Sequence, residues 1–154
     1  MNFVGAIKSC FNKYTTFSGR APRSEYWYWF LFKCVVDIIA YLGDHYLLEG
    51  IGLKPLGPLT LAAMLVFYAP SLSVAVRRMH DTSRSGWKIV IPFCMVVLYG
   101  AYGWATTVFE LIAPNPTIHG ILVLAAFVSI VVMNIWMCLR GANGNNRYGP
   151  DPLA

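Results

Sequence analysis

The chain has 154 residues, of which 57% are apolar and only 12% are Asp, Glu, Lys or Arg, with a formal net charge of +5. Soluble domains carry about twice that charged fraction, roughly 25%. So few charges cannot screen so much apolar side chain from water. A soluble globular domain is therefore excluded, lipid is expected to cover the remainder, and no nucleic-acid partner is expected.

The first sixteen residues hold Phe3, Ile7, Phe11 and Tyr14 at helical spacing, with Lys8 and Lys13 between them. This pattern predicts a short amphipathic helix lying on the inner membrane surface. The segment has no compact apolar stretch with a small-residue cleavage site, so no cleavable signal peptide is expected. Asn2 excludes the N-myristoylation pattern.

Four stretches follow that approach the roughly 20 apolar residues a helix needs to span a bilayer. They cover residues 26–46, 56–76, 87–109 and 118–139. Pro70 and Pro92 fall inside the second and third. Each is expected to kink its helix, with Ser71 and Ser73 near Pro70 available to the freed backbone. The expected fold is an all-α integral membrane protein, with residues 1–154 forming a single four-helix transmembrane domain. No internal repeat or separate soluble domain is visible.

The connections set the expected orientation. Ten of the twelve Lys and Arg residues lie in three places: Lys8, Lys13, Arg20 and Arg23 before the first span; Arg77, Arg78, Arg84 and Lys88 between the second and third; and Arg140 and Arg147 in the tail. The first connection holds Lys54 beside Asp44 and Glu49, and the third holds no cation. The positive-inside rule then puts both termini and the middle connection in the cytoplasm. Tyr26, Trp27, Tyr28, Trp29, Trp87 and Trp136 suit the cytoplasmic aromatic belt, and Tyr41, Tyr46, Tyr102 and Trp104 the opposite one.

The segment richest in chemistry is the turn at residues 76–87, V-R-R-M-H-D-T-S-R-S-G-W. Arg77, Arg78, Arg84 and His80 crowd around Asp81, and Ser85 and Gly86 precede the third span. A helix N-terminus flanked by arginines can hold an anion, and arginine suits bidentate phosphate contacts. In a four-helix bundle, Arg20 and Arg23 and the tail with Arg147 come within reach. An anion or lipid head-group site is therefore expected from Arg20, Arg23, Arg77, Arg78, His80, Asp81, Arg84, Ser85, Gly86 and Arg147. The simpler alternative is that these cations only enforce topology, with Asp81 pairing with Arg77 or Arg84. The tail is rich in turn formers and is expected to be a shaped loop.

The runs G-R-A-P-R-S-E-Y-W at 19–27, R-R-M-H-D-T-S-R-S-G-W at 77–87 and N-R-Y-G-P-D-P at 146–152 occur in this order. Together they resemble the domain of unknown function 805 family of small bacterial inner-membrane proteins, the YhaH type. The resemblance covers nearly the whole chain and implies an inner-membrane location and four spans, but no reaction. The family pattern usually has glycine where this chain has Ser83, and its tail usually has a Gly-Thr/Pro-rich lead-in where this chain has residues 141–145, G-A-N-G-N.

Lys33 and Asp37 lie four apart inside the first span. Intramembrane charges are costly and point to a site or a buried pair. Lys33 can snorkel, whereas Asp37 is deeper, with Lys33, Tyr68, Tyr99 and Asn134 as expected partners. Cys10, Cys34, Cys94 and Cys138 form no C-x-x-C pair, so free thiols are expected. His45 and His119, with Asp44, Glu49 and Glu110, have no metal-ligand spacing. No metal, cofactor or catalytic set is assigned.

Three functions stay open. One is a non-enzymatic protein binding membrane lipids, a protein partner or another copy through its basic face. The second is a small oligomeric transporter or channel using Asp37. The third is an enzyme acting on a phosphate-bearing lipid, with His80 as acid or base and the arginines as a clamp.

Overall fold

The computed structural model describes residues 1–47, 57–107 and 115–153, and these are helical throughout apart from turns and one isolated bridge. The helices are α1 (Phe3–Asn12), α2 (Arg23–Leu47), α3 (Pro58–Asp81), α4 (Val90–Thr107) and α5 (Pro116–Cys138). A single 3₁₀ turn, Gly86–Ile89, leads into α4. Pro58–Asp81, Gly86–Thr106 and Pro116–Cys138 are long and apolar enough to cross a membrane. α2 is as long, at 25 residues, but its polar and aromatic content leaves it outside that set. Glu49, Lys54 and Glu110 lie outside the described residues, as do the start of the second expected span and the end of the third.

Local signals start these helices. Asn115 caps α5, its side chain accepting from Thr117 and Ile118 N–H, with Pro116 at the first helical position. Proline has no N–H to lose there. Asn2 caps α1 in the same way.

The two internal prolines are handled differently. Pro70 lies deep inside α3, and its missing N–H frees the carbonyl of Val66. The hydroxyl of Tyr14, from the segment after α1, donates to that carbonyl. Ser73 instead donates to Lys13 O (3.0 Å) and Pro70 O (3.2 Å), so neither serine supplies the repair expected from sequence. Pro92 falls in the first turn of α4, because the third span opens as a 3₁₀ turn. No helical hydrogen bond is lost there.

Two hairpins form the body: α2 packs along α3, and α4 packs along α5. α1 lies against α2 and touches α3. Ala6 and Cys10 of α1 are fully buried, and Phe11 meets Trp29, Phe32 and Phe67 edge-on. The aromatic side of α1 is thus partly spent on protein contacts, although Phe3 and Phe11 stay 40% exposed. One core cluster gathers Cys10, Ala21, Trp29 and Val74, and a second gathers Ala75, Met79 and Met137 at the C-terminal ends of α3 and α5. Most large apolar residues of α4 and α5 are exposed, as a lipid-facing surface requires.

Candidate functional site

The start of α2, the end of α3, the 3₁₀ turn, the end of α5 and the tail meet at one end of the bundle. The structure therefore brings together the three basic segments singled out in the sequence, but it sorts their cations into two populations.

Arg20, Arg77 and Arg78 are buried. Arg77 Nη1 donates to Glu25 Oε1 at 2.7 Å, with both side chains 1% exposed. The same oxygen accepts from Ser9 Oγ at 3.0 Å and faces Cys10 Sγ at 4.0 Å. Glu25 sits in the first turn of α2, where the helix dipole favours a negative charge. Arg77 Nε and Nη2 are buried without a hydrogen-bond partner among the described residues.

Asp81 lies between two other arginines. Arg20 Nε donates to its Oδ1 at 3.0 Å, and Arg78 Nη1 pairs with its Oδ2. Asp81 was expected to pair with Arg77 or Arg84 and does neither. Arg77 is taken by Glu25, while Arg84 donates to Thr82 O. Arg78 also donates to Met137 O and Leu139 O, and Arg23 to Cys138 O. These bonds place positive charge on the unpaired carbonyls ending α5, where the helix dipole is negative.

The tail is held by the same groups. Arg20 donates to Gly144 O and Ala142 O, and Ala142 N–H donates to Asp81 O at 2.8 Å. A side chain at Gly141 would collide with the Asp81 carboxylate, so the tail's close approach needs glycine there. Asn146 Nδ2 donates to His80 O, and Asn146 pairs with Gly149 through both backbone bonds. The tail is therefore a shaped loop, as its composition suggested.

His80 is half-buried beneath this loop. Its Nδ1 lies 3.2 Å from Gly19 O. A carbonyl only accepts, so this contact places the imidazole proton on Nδ1 and leaves Nε2 an acceptor facing Gly86. The Tyr148 ring stacks on the imidazole at 3.9 Å, nearly parallel, and the Arg147 guanidinium covers Tyr148 at 4.7 Å. Ser83, at the position where the family pattern has glycine, takes the left-handed conformation with φ 58°.

The second population of cations lies at the rim. Arg23, Lys88, Arg140 and Arg147 are exposed and Arg84 is half-buried. Arg84 and Lys88 both lie over the Trp136 ring, at 5.5 and 5.1 Å. Ser85 is half-buried and caps the 3₁₀ turn without a side-chain bond.

Lys33 and Asp37 pair with each other at 2.5 Å, one turn apart on α2. Of the other expected partners of Asp37, Asn134 donates back to Ile130 O of its own helix and Tyr99 meets His119. His45 stacks on Tyr41, and no group of three metal-ligating side chains converges among the described residues. All four cysteines are free, but Cys10 is buried within protein rather than within a span. Burial, and then the Glu25 carboxylate, push its thiol up to about 12.

Sequence reasoning missed Glu25, Ser9, Cys10, Asn146 and Tyr148. One signal was available for Glu25, the lone acid among the cations that precede the first span.

Comparison with known proteins places this architecture. The family model described as "Protein of unknown function (DUF805)" matches residues 14–150. The chain belongs to this family. It is 32% identical to "Inner membrane protein YhaI" of Escherichia coli (strain K12), over 94% of this chain and 92% of the relative. It is 29% identical to "Inner membrane protein YhaH" of the same strain, over 90% and 88%. This is therefore a small protein of an uncharacterised inner-membrane family. No solved structure matches it. Both buried carboxylates, their arginines and the Tyr148 latch fall within the DUF805 match, whereas Ser9 and Cys10 precede it.

Proposed function

We propose that this DUF805 protein is a non-enzymatic, four-span inner-membrane protein with both termini cytoplasmic, which binds anionic phospholipid head groups through its basic rim. The observation that carries the reading is the division of the cations. Arg20, Arg77 and Arg78 are consumed by Glu25, Asp81 and backbone carbonyls, so they serve the fold. Arg84, Lys88 and Arg147 remain at the surface, each lying over an aromatic ring. A cation beside tryptophan or tyrosine suits the head-group level of a bilayer. Each cation near an anionic leaflet contributes about 1 kcal/mol.

α2 supplies the fourth span in this reading. Its Lys33 and Asp37 neutralise each other, which lowers the cost of carrying them into lipid. The same pairing favours a structural role for Asp37 over a relay. His80, wedged between Gly19 and Tyr148, is better placed to fasten the tail than to exchange protons with a substrate.

Native mass spectrometry in mild detergent tests the reading. Wild type should retain phosphatidylglycerol, and the triple variant Arg84→Ala, Lys88→Ala, Arg147→Ala should lose it. Equal retention in both would remove the rim from consideration. Reporters fused at the N-terminus and in the α2–α3 connection should report opposite sides of the membrane; a shared side would exclude α2 as a span.

A further inference from the structure

Between the two hairpins lies a cleft of about 1150 Å³. Its walls include Phe30 and Cys34 of α2, Leu72 and Val76 of α3, and Val90 and Phe93 of α4. Sites for small molecules are roughly 300–1,000 Å³, so this space suits something larger and mostly apolar.

Its two ends differ. At the basic end the lining is His80, Ser85 and Tyr148, with Gly86 forming the lip. A side chain at Gly86 would strike Val76 and close the gap there. The Ser85 hydroxyl makes no cap bond, and Nε2 of His80 faces Gly86. At the far end the lining is Lys33, Asp37 and Tyr68.

The length of the cleft selects its occupant. Tyr68 and His80 are twelve residues apart on α3, about 18 Å at the helical rise. One leaflet of the hydrocarbon core is about 15 Å, half of roughly 30 Å. A lipid chain entering from the basic end fills such a groove and stops at the ion pair. A helix from a second copy would need a groove running through both leaflets. The mouth carries Arg147 over Tyr148, so it complements an anionic head, while Arg84 and Lys88 lie over Trp136 of α5.

We propose that the cleft between the hairpins seats one anionic membrane phospholipid, with an acyl chain along α3 and its head group at the His80–Gly86 mouth. This deepens the rim reading: it assigns one fixed lipid where the rim alone needs only a shell of exchanging ones.

The test uses the full chain in nanodiscs of phosphatidylethanolamine and phosphatidylglycerol, the latter carrying a diazirine near the end of one acyl chain. After illumination, mapped adducts should concentrate on Tyr68, Leu72, Phe93 and Cys94. They should be several-fold weaker on Ile121 and Leu124, exposed positions of α5 outside the cleft. Cys94→Trp, which fills the cleft, should reduce the cleft adducts several-fold. Even labelling of cleft and outer face would overturn the proposal and leave exchanging lipid alone, and a cleft left unlabelled while the outer face labels would overturn it in favour of a second copy covering the cleft. The wild-type map decides even if Cys94→Trp fails to fold, and Cys34→Phe is a second plug. The double variant Arg84→Ala, Lys88→Ala, which leaves Arg147 at the mouth, separates the two readings. If it keeps phosphatidylglycerol while the cleft labels, the rim reading fails and the cleft stands. If it loses phosphatidylglycerol while labelling is even, the reverse holds.

Discussion

Replacing Glu25 by alanine should be among the most damaging single changes in this chain. The carboxylate is Arg77's side-chain hydrogen-bond partner, at 2.7 Å, and both groups are 1% exposed. Arg77 Nε and Nη2 already lack partners, so Glu25→Ala strands a buried guanidinium and also removes the acceptor of Ser9. Breaking a buried pair from one side costs about 3–5 kcal/mol. Against a typical total of roughly 5–15 kcal/mol, that is about a fifth or more of the stability. Glu25→Gln keeps an acceptor without the charge and should fall between wild type and alanine. Glu25→Leu with Arg77→Leu removes both charges and should recover most of the loss, because desolvating the pair offsets much of its attraction. The assay is SDS titration in mixed micelles, followed by tryptophan fluorescence. A loss under about 1 kcal/mol for Glu25→Ala would refute the reasoning, since a solvated surface pair contributes only that much. A double variant as weak as the single one would also refute it.

Three further outcomes follow from the same geometry. Asp81→Asn removes the shared carboxylate of Arg20 and Arg78 and should free the tail, so trypsin should cut at Arg147 faster; an unchanged rate would mean the backbone bonds alone hold the loop. Ser83→Gly should stabilise the protein by about 1 kcal/mol, because a non-glycine residue in the left-handed region costs roughly 1–2 kcal/mol. The lost Asn146–Ser83 contact at 3.3 Å subtracts little, and a destabilised variant would contradict this account. Cys10, raised to about 12 by burial and then by Glu25, should resist maleimide at pH 8, with about one thiol in 10⁴ ionised against about a quarter for a free cysteine. Because the folded value is raised, its contribution to stability is complete below the ordinary thiol value near 8.5 and is lost as pH climbs from there through about 12. Labelling of Cys10 as fast as that of the exposed Cys138 would show that the cluster is open.

Features that depend on near neighbours were legible in the order of residues. Apolar run length marked the helices, with α5 at Pro116–Cys138 close to the expected 118–139. Turn-forming residues marked the shaped tail, and the gathering of cations into three segments marked the end of the bundle where they meet. Ordered motifs identified the family. Hydropathy alone was weaker for α2, where aromatic rings and an ion pair dilute the apolar signal.

Which cations remain free depends on contacts between distant segments. Asp81 lies three residues after Arg78 and four after Arg77, and both spacings put side chains on one helix face. Local geometry therefore offers the carboxylate to either arginine. The choice falls to Arg78 because Glu25, 52 residues away in sequence, is delivered to Arg77 by the α2–α3 packing. Adjacent helical residues point roughly 100° apart, so the two arginines are committed to different partners. Arginines that read as a single basic surface thus become a buried frame and an exposed rim. The cleft has the same origin: each wall is an ordinary apolar helix face, and the space between them exists only once the hairpins are set side by side.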